Sequence, residues 1–505
     1  MNVTTGGNSS VGTISTNGLY TAPDLPPPGG QVTITAIEQS NTALSGTTTL
    51  SIGYSNASLN GAYAFNMNGL NNGAPWSAIG EFNANGAGQL GNGLEDINDG
   101  TTPVQPKTPF AGTYAINPDG LGTAVLGTVD IQFVLLTGGQ ASLISTDAGT
   151  VIAGNISPQS QAAGSVTNLG GPYVFSFSGE NTSNQSITML GRVIATTGGA
   201  FTTAGTEDVN GPSILSNIPV SGSYSFDDQN HGTATLTDIA GSHNYSFYVV
   251  SASDIEFLSS DSAQPLSGNL SPQQPITFSD ASLNAPYVFF LGGNSPTSAY
   301  MQAGQFNPFG SGSLGTITED VNTLGSVGTY TPTGTYTFDP SGNGRGTLTI
   351  NNQGANTPTT YVFYMSSPSQ GQFMATNSNI VASGLIISQQ QGTSFNTDSL
   401  EAHYGFTLFS AAGPASPSLG LGTLALDGQG NLSGNLLLNA IGSIPPVLSL
   451  TGTYMLNTSV RGTATLNSSG GGSSPFAVYP ITPDEFVLIG TNALSPYLGT
   501  AIIQY

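Results

Sequence analysis

Four times along the chain a Tyr-x-Phe triplet follows a polar linker, at Tyr63–Phe65, Tyr173–Phe175, Tyr287–Phe289 and Tyr404–Phe406. A Gly-Thr/Ser-Tyr landmark recurs behind each, with its tyrosine at Tyr114, Tyr224, Tyr336 and Tyr454. A Gly-Thr pair comes next, at Gly122, Gly232, Gly346 and Gly462. Each unit closes on a glycine followed five residues later by a glutamine: Gly154/Gln159, Gly268/Gln273, Gly384/Gln389 and Gly499/Gln504. The period of about 110 to 118 residues is too long for a solenoid repeat and suits a whole domain. The landmarks predict repeats over 58–160, 168–274, 282–390 and 399–505, with residues 1–54 outside the pattern. The last repeat ends one residue before the sequence does, which leads us to expect a complete C-terminus.

Within the first repeat eight strand-like runs lie near 61–68, 77–83, 89–97, 110–117, 121–127, 130–137, 140–146 and 150–157. Turn chemistry separates them, as at Asn85-Gly86, Asn98-Asp99-Gly100 and Asn117-Pro118-Asp119-Gly120. Apolar residues alternate along the runs: Tyr63 with Phe65, Tyr114 with Ile116, and Ile131 with Phe133 and Leu135. Short sequential strands with tight turns make a meander, and eight can close into an up-and-down barrel without a free edge. A two-sheet sandwich is the rival, because alternation reads alike in both. The fold class is therefore all-β, a tandem array of four antiparallel domains with almost no helix.

Composition narrows function by exclusion. Only 6% of residues are charged, with 27 acidic against four basic (Lys107, Arg192, Arg345 and Arg461), for a net charge of −23. Phosphate backbones and anionic lipid surfaces need clustered lysine and arginine, so nucleic acid and polybasic membrane attachment are excluded. Salt bridges cannot be a main source of stability when so few cations are present. Cysteine is absent, which removes disulfides and thiolate chemistry. No apolar run approaches the roughly 18 residues of a membrane span, and the N-terminus shows no signal-peptide pattern.

Two motifs resemble ligand sites. Gly86-Ala-Gly88-Gln-Leu-Gly91 has the spacing of a dinucleotide loop and recurs at Gly310, Gly312 and Gly315. Such a loop must open a helix whose N–H groups hold the pyrophosphate. Here a strand follows, so the glycines read as a hairpin turn. An acidic motif stands after it: Glu95-Asp96-Ile97-Asn98, Glu207-Asp208-Val209-Asn210 and Glu319-Asp320-Val321-Asn322. The fourth repeat carries Leu437-Leu438-Asn439 near that point. On a strand Glu shares one face with the β-branched residue, and Asp shares the other with Asn. Three readings stay open. Asp and Asn end the strand by bonding local N–H groups. Glu points inward with a raised pKa and hydroxyl partners such as Tyr63 or Tyr114. Asp and Asn supply hard oxygens to Ca²⁺, the only cofactor suggested.

Three histidines remain. His231 lies in a hairpin where sister repeats carry Leu121, Arg345 and Arg461, and reads as a surface turn residue. His243 and His403 have no counterparts, and no Ser/His/Asp grouping recurs.

Residues 1–54 hold Gly12-Thr-Ile-Ser-Thr-Asn-Gly-Leu-Tyr20-Thr-Ala-Pro23, then Val32-Thr-Ile-Thr-Ala and Thr47-Thr-Thr-Leu-Ser-Ile52. This segment resembles the second half of a bacterial immunoglobulin-like domain of the group 2 type. The four repeats resemble uncharacterised repeat units of secreted soil-bacterial surface proteins with similar YxF, EDxN and GTY landmarks. The resemblance implies a bacterial extracellular or cell-surface protein whose modules act as spacers, adhesive units or building blocks. The expected function is thus structural or adhesive and non-enzymatic. A surface filament would form through head-to-tail β contacts at the strands of residues 32–37 and 47–52. Expected partners are further copies of the chain, cell surfaces or glycans. The alternatives are an array of ligand- or glycan-binding barrels and a polysaccharide-acting enzyme using two carboxylates.

Overall fold

A computed structural model describes the chain apart from residues 1–5, 102–103, 161–168, 228–229, 296–297, 352–357, 393, 412–416, 441–445 and 457–460. The expected start of the second repeat, residue 168, lies outside the described residues. Among those described, helix is limited to short 3-10 turns such as Asn56–Ser58.

Each repeat folds around its own core, and three of the four close into barrels, the third forming an open sheet on the same plan and numbered with the barrels. In the first, strands one to eight are Asn60–Asn71, Ala74–Asn85, Gln89–Asn98, Gln105–Ile116, Leu121–Leu126, Val129–Leu135, Ala141–Ser145 and Thr150–Pro158. They pair in sequence order, and the eighth returns to the first, with Gly154 opposite Met67. The barrel therefore displaces the sandwich. The second and fourth repeats close in the same way. The third departs from the pattern. Its fourth strand is split into Ser326–Tyr330 and Thr333–Phe338 by Thr331-Pro332, giving a nine-stranded sheet. Proline has no N–H to donate to a ladder.

The recurring aromatics fill the lumens. Tyr63, Phe65, Phe82, Tyr114 and Phe133 belong to one buried cluster, and equivalent clusters occupy the other barrels. In the first three repeats the glycine of the Gly-Thr landmark lies under an aromatic ring. A Cβ at Gly122, Gly232 or Gly346 would stand 2.3 Å from Phe133, Phe247 or Phe363, the residue opposite in the next strand. The landmark tyrosines clamp the barrel entrance: Tyr114 donates to the carbonyl of Leu59 at 2.7 Å, and Tyr224 to that of Leu169 at 2.8 Å.

Alternation fails where the barrels meet. Ala141–Ser145 is buried at every position, and Val129–Leu135 at all but one. Such strands need cover on both faces, as in sheets buried from both sides. The outer faces supply it to one another. Ile79 packs with Tyr248 and Leu258 between barrels one and two. Val174 and Leu190 meet Val362 and Tyr364 between two and three. Val288 and Met301 meet Tyr479 and Val487 between three and four. Leu121 and Val134 meet Leu419 and Leu437 between four and one. The fourth contact turns the expected linear array into a closed ring.

The N-terminal segment contributes a small sheet of Gly7–Asn8, Gly12–Ile14 and Tyr20–Thr21, and a hairpin of Gln31–Ile37 with Ser45–Ser51. Tyr54 ends it as a staple. Its N–H reaches the Pro118 carbonyl of the first barrel, and its hydroxyl reaches the Gln504 carbonyl at the end of the fourth.

Candidate functional site

The acidic motif stands at the end of strand three in the first three repeats, at the ring joints. Its two faces do different work. Glu95, Glu207 and Glu319 share their face with Ile97, Val209 and Val321, which pack on the barrel cores, so these carboxyls turn inward. Burial pushes the Glu95 and Glu319 carboxyls up to about 7. It pushes Glu207 to about 9, with the Asp238 and Asp208 carboxylates adding to the shift. Their partners are not the tyrosines expected. Tyr63 accepts the Asn60 N–H, and Tyr114 donates to the backbone of Asn56 and Leu59. Gln302 donates to Glu319 at 2.7 Å instead, and accepts from Tyr300 and Tyr361.

The Asp and Asn face outward into the next barrel. Asp208 takes a bidentate pair from Arg345, Nε and Nη2 each at 2.7 Å, and the Tyr364 hydroxyl at 2.7 Å. Asp320 takes Arg461 Nε at 2.6 Å, Nη2 at 2.9 Å and the Tyr479 hydroxyl at 2.6 Å. Asp96 meets His231 Nε2 at 3.1 Å and the Tyr248 hydroxyl at 3.2 Å. Asp227 holds the other His231 nitrogen at 2.7 Å and bonds Lys107 Nζ at 3.1 Å. The surface reading of His231 is thus corrected: it is 2% exposed. Its hairpin is covered by the neighbouring barrel, which the sequence of one repeat cannot reveal. The two carboxylates outweigh burial and raise its pKa. His231 and the Lys107 N–H hold Asp96 below the usual carboxylate range.

At the fourth joint the charge is gone and the geometry remains. Leu437 stands in the Asp position and packs with Leu121 and Val134, which stand where sister repeats carry His231 or arginine, and tyrosine. All four joints keep the asparagine. The Asn98 amide donates to the carbonyls of Ser259 and Asp261 at 2.8 and 2.9 Å. Asn210 bonds those of Ala375 and Ile380, and Asn322 those of Gly490 and Asn492. Asn439 bonds those of Ser145 and Thr150. The closing glutamines cross as well, Gln159 to Val249, Gln273 to Met365, Gln389 to Pro480 and Gln504 to Leu135. The local reading holds only in part, since Asp96 and Asp208 also accept the N–H of Lys107 and Asn217. The crossing of asparagine and glutamine was not read from the sequence, although both residues recur in every repeat.

Among the described residues no group of three or more His, Asp or Glu is placed to hold a metal ion. The dinucleotide-like glycines form the turn between strands two and three, with Gly86 and Gly88 at φ of 70° and 96° and Ala84 opposite Leu90. His243 lies 3.6 Å from Asp238, and His403 stacks on Tyr505.

No family model matches the chain, and no curated protein does. Solved structures of transferrin-binding protein B overlap it diffusely. A double mutant from Haemophilus parasuis Hp5 shares 10% identity over 72% of this chain and 82% of that one, at a TM-score of 0.19. Intact Ap-TbpB with N and C lobes gives the same identity, coverages and score. Overlaps of this quality carry no argument about function.

Proposed function

We propose that the chain is a non-enzymatic structural protein of the bacterial exterior, a preassembled ring of three closed barrels and one open barrel-like sheet. One observation carries the reading. The groups that could do chemistry, Asp96 with His231, Asp208 with Arg345 and Asp320 with Arg461, lie between barrels with each aspartate buried, and are spent on joining them. Among the described residues no helix is long and apolar enough to cross a membrane. The resemblance of the repeats to secreted soil-bacterial units, and of the first segment to immunoglobulin-like domains, supports an extracellular setting.

Self-assembly belongs to the same proposal. The joint between barrels four and one is satisfied within one chain and cannot serve a head-to-tail contact. Among the described residues the hairpin of Gln31–Ile37 and Ser45–Ser51 pairs only with itself, and Ile37 and Leu44 are more than half exposed in it. Open strand edges of this kind accept further strands. The full chain at high concentration should form filaments by electron microscopy, and a chain lacking residues 1–51 should give single rings. Tyr54 is kept because it staples the ring. A monomeric full chain, or equal assembly by both, would contradict the filament.

A further inference from the structure

Where the four barrels meet lies a half-open cavity of about 540 Å³ lined by residues of all four, within the roughly 300–1,000 Å³ of small-molecule pockets. We propose that it is a binding site for a neutral polyhydroxylated ligand, a short saccharide, held once per chain.

The frame around the cavity is repeated, but its lining is not. Glu180 and Asn294 occupy equivalent places, seven residues after the tyrosine of the Tyr-x-Phe triplet, where the first repeat has Leu70 and the fourth Ala411. Two residues earlier stand Asn68, Ser178, Gly292 and Phe409. Thr188 lies opposite Ser178 on the second strand. The wall from barrels one to three is therefore rich in amides and hydroxyls, and barrel four offers an aromatic ring, Phe409, 39% exposed. A packing interface needs no such asymmetry.

Three polar atoms in this lining are buried without a hydrogen-bond partner: Glu180 Oε2, Thr188 Oγ1 and Asn294 Oδ1. They cluster on one side. Asn294 donates its amide to Ser186 Oγ at 2.9 Å, and Ser186 pairs with Glu180 across the strands. Unpaired buried acceptors call for hydroxyl donors. Among the described residues no Lys, Arg or His lines the cavity, so an anion has no counter-charge there. One carboxylate is poor provision for a hard cation, which takes six to eight oxygens. A wholly apolar ligand would leave the three atoms unpaired. A sugar supplies hydroxyls to the polar wall and a C–H face to Phe409. Burial also raises the Glu180 pKa, favouring a neutral carboxyl able to donate.

The test is calorimetry of the full chain with neutral oligosaccharides of two to four units, from β-1,4-glucan, chitin, α-1,4-glucan and mannan, with CaCl₂ as a separate titrant. At least one sugar should bind at one per chain. Asn294→Leu, Thr188→Val and Phe409→Ala should each weaken it about tenfold or more, roughly one lost hydrogen bond or ring contact. Ser383→Trp, which fills the cavity from a partly exposed position, should abolish binding. Unchanged melting temperatures separate these effects from misfolding. Binding of no sugar, four sugars per chain, affinity indifferent to the folded variants, or Ca²⁺ as the only ligand would each overturn the proposal.

Discussion

Asp208 and Arg345 are both nearly fully buried, so neither can lose the other cheaply. Removing one partner of a buried pair costs roughly 3–5 kcal/mol, because the remaining charge has no water to return to. Arg345→Leu should therefore destabilise the chain by about that much in denaturant unfolding. Adding Asp208→Leu should restore most of it, because Leu437 with Leu121 already shows an apolar joint of this geometry. The same residues set the response to pH. Glu95 and Glu319 have folded pKa values of about 7 and Glu207 of about 9, all above the usual 4.5. A raised acid is neutral in both states below 4.5, and its folding penalty grows as pH climbs through the folded value. His231, also raised, adds stability below 6.5 that fades as pH passes its folded value. Asp96, depressed, subtracts only as pH falls below 3.8. All three signs place maximum stability near pH 4–5. The melting temperature should fall steadily from pH 5 to pH 9, and a higher value at pH 8 than at pH 5 would contradict the assignment. Part of this was legible in the sequence. Alternation put Glu on one face with the β-branched residue, and the inward direction of that face was one of three open readings. The partners of Asp were not legible, because they belong to the next repeat. Yet the clue was present: Leu437 lacks the acid in the repeat that meets Leu121, the one lacking a basic residue there. The two departures compensate only when read across the joint.

Because turn glycines and asparagines bracket them and aromatics alternate along them, the strands of the first barrel were legible to within about three residues of their ends, except strand four, which begins at Gln105 rather than near 110. The exceptions have physical reasons. Strands six and seven are buried on both faces, so alternation weakens where barrels touch. Proline interrupts strand four of the third barrel, which a comparison of landmarks does not expose. The short turns before the first, third and fourth repeats were overlooked, although Ser55 with Ser58 and Ser279 with Ser282 form reciprocal caps, as Asn396 does with Ser399. At this scale the glycine of the Gly-Thr landmark can be tested directly. Gly346→Val would drive its Cβ to 2.3 Å from Phe363 and 2.7 Å from the Thr337 carbonyl. Overpacking of this order costs about 1–3 kcal/mol. The denaturation midpoint should drop accordingly, and an unchanged midpoint would mean that the ring does not lie across the glycine.

Four domains in sequence were visible as four domains, but not as a ring. Repetition shows that units are alike, not that the last meets the first. Closure rests on Asn439, Gln504, Tyr54 and the leucines of the fourth joint, each contacting residues hundreds of positions away. Closure also creates the central cavity and leaves the N-terminal hairpin with open edges. The most direct test is small-angle X-ray scattering from the chain lacking residues 1–51, where filament growth cannot interfere. A closed ring should have a radius of gyration slightly above the roughly 23 Å of a compact chain this long. It should also show a single short maximum dimension. A radius well above that compact value, with the elongated distance distribution of barrels in a line, would contradict the ring.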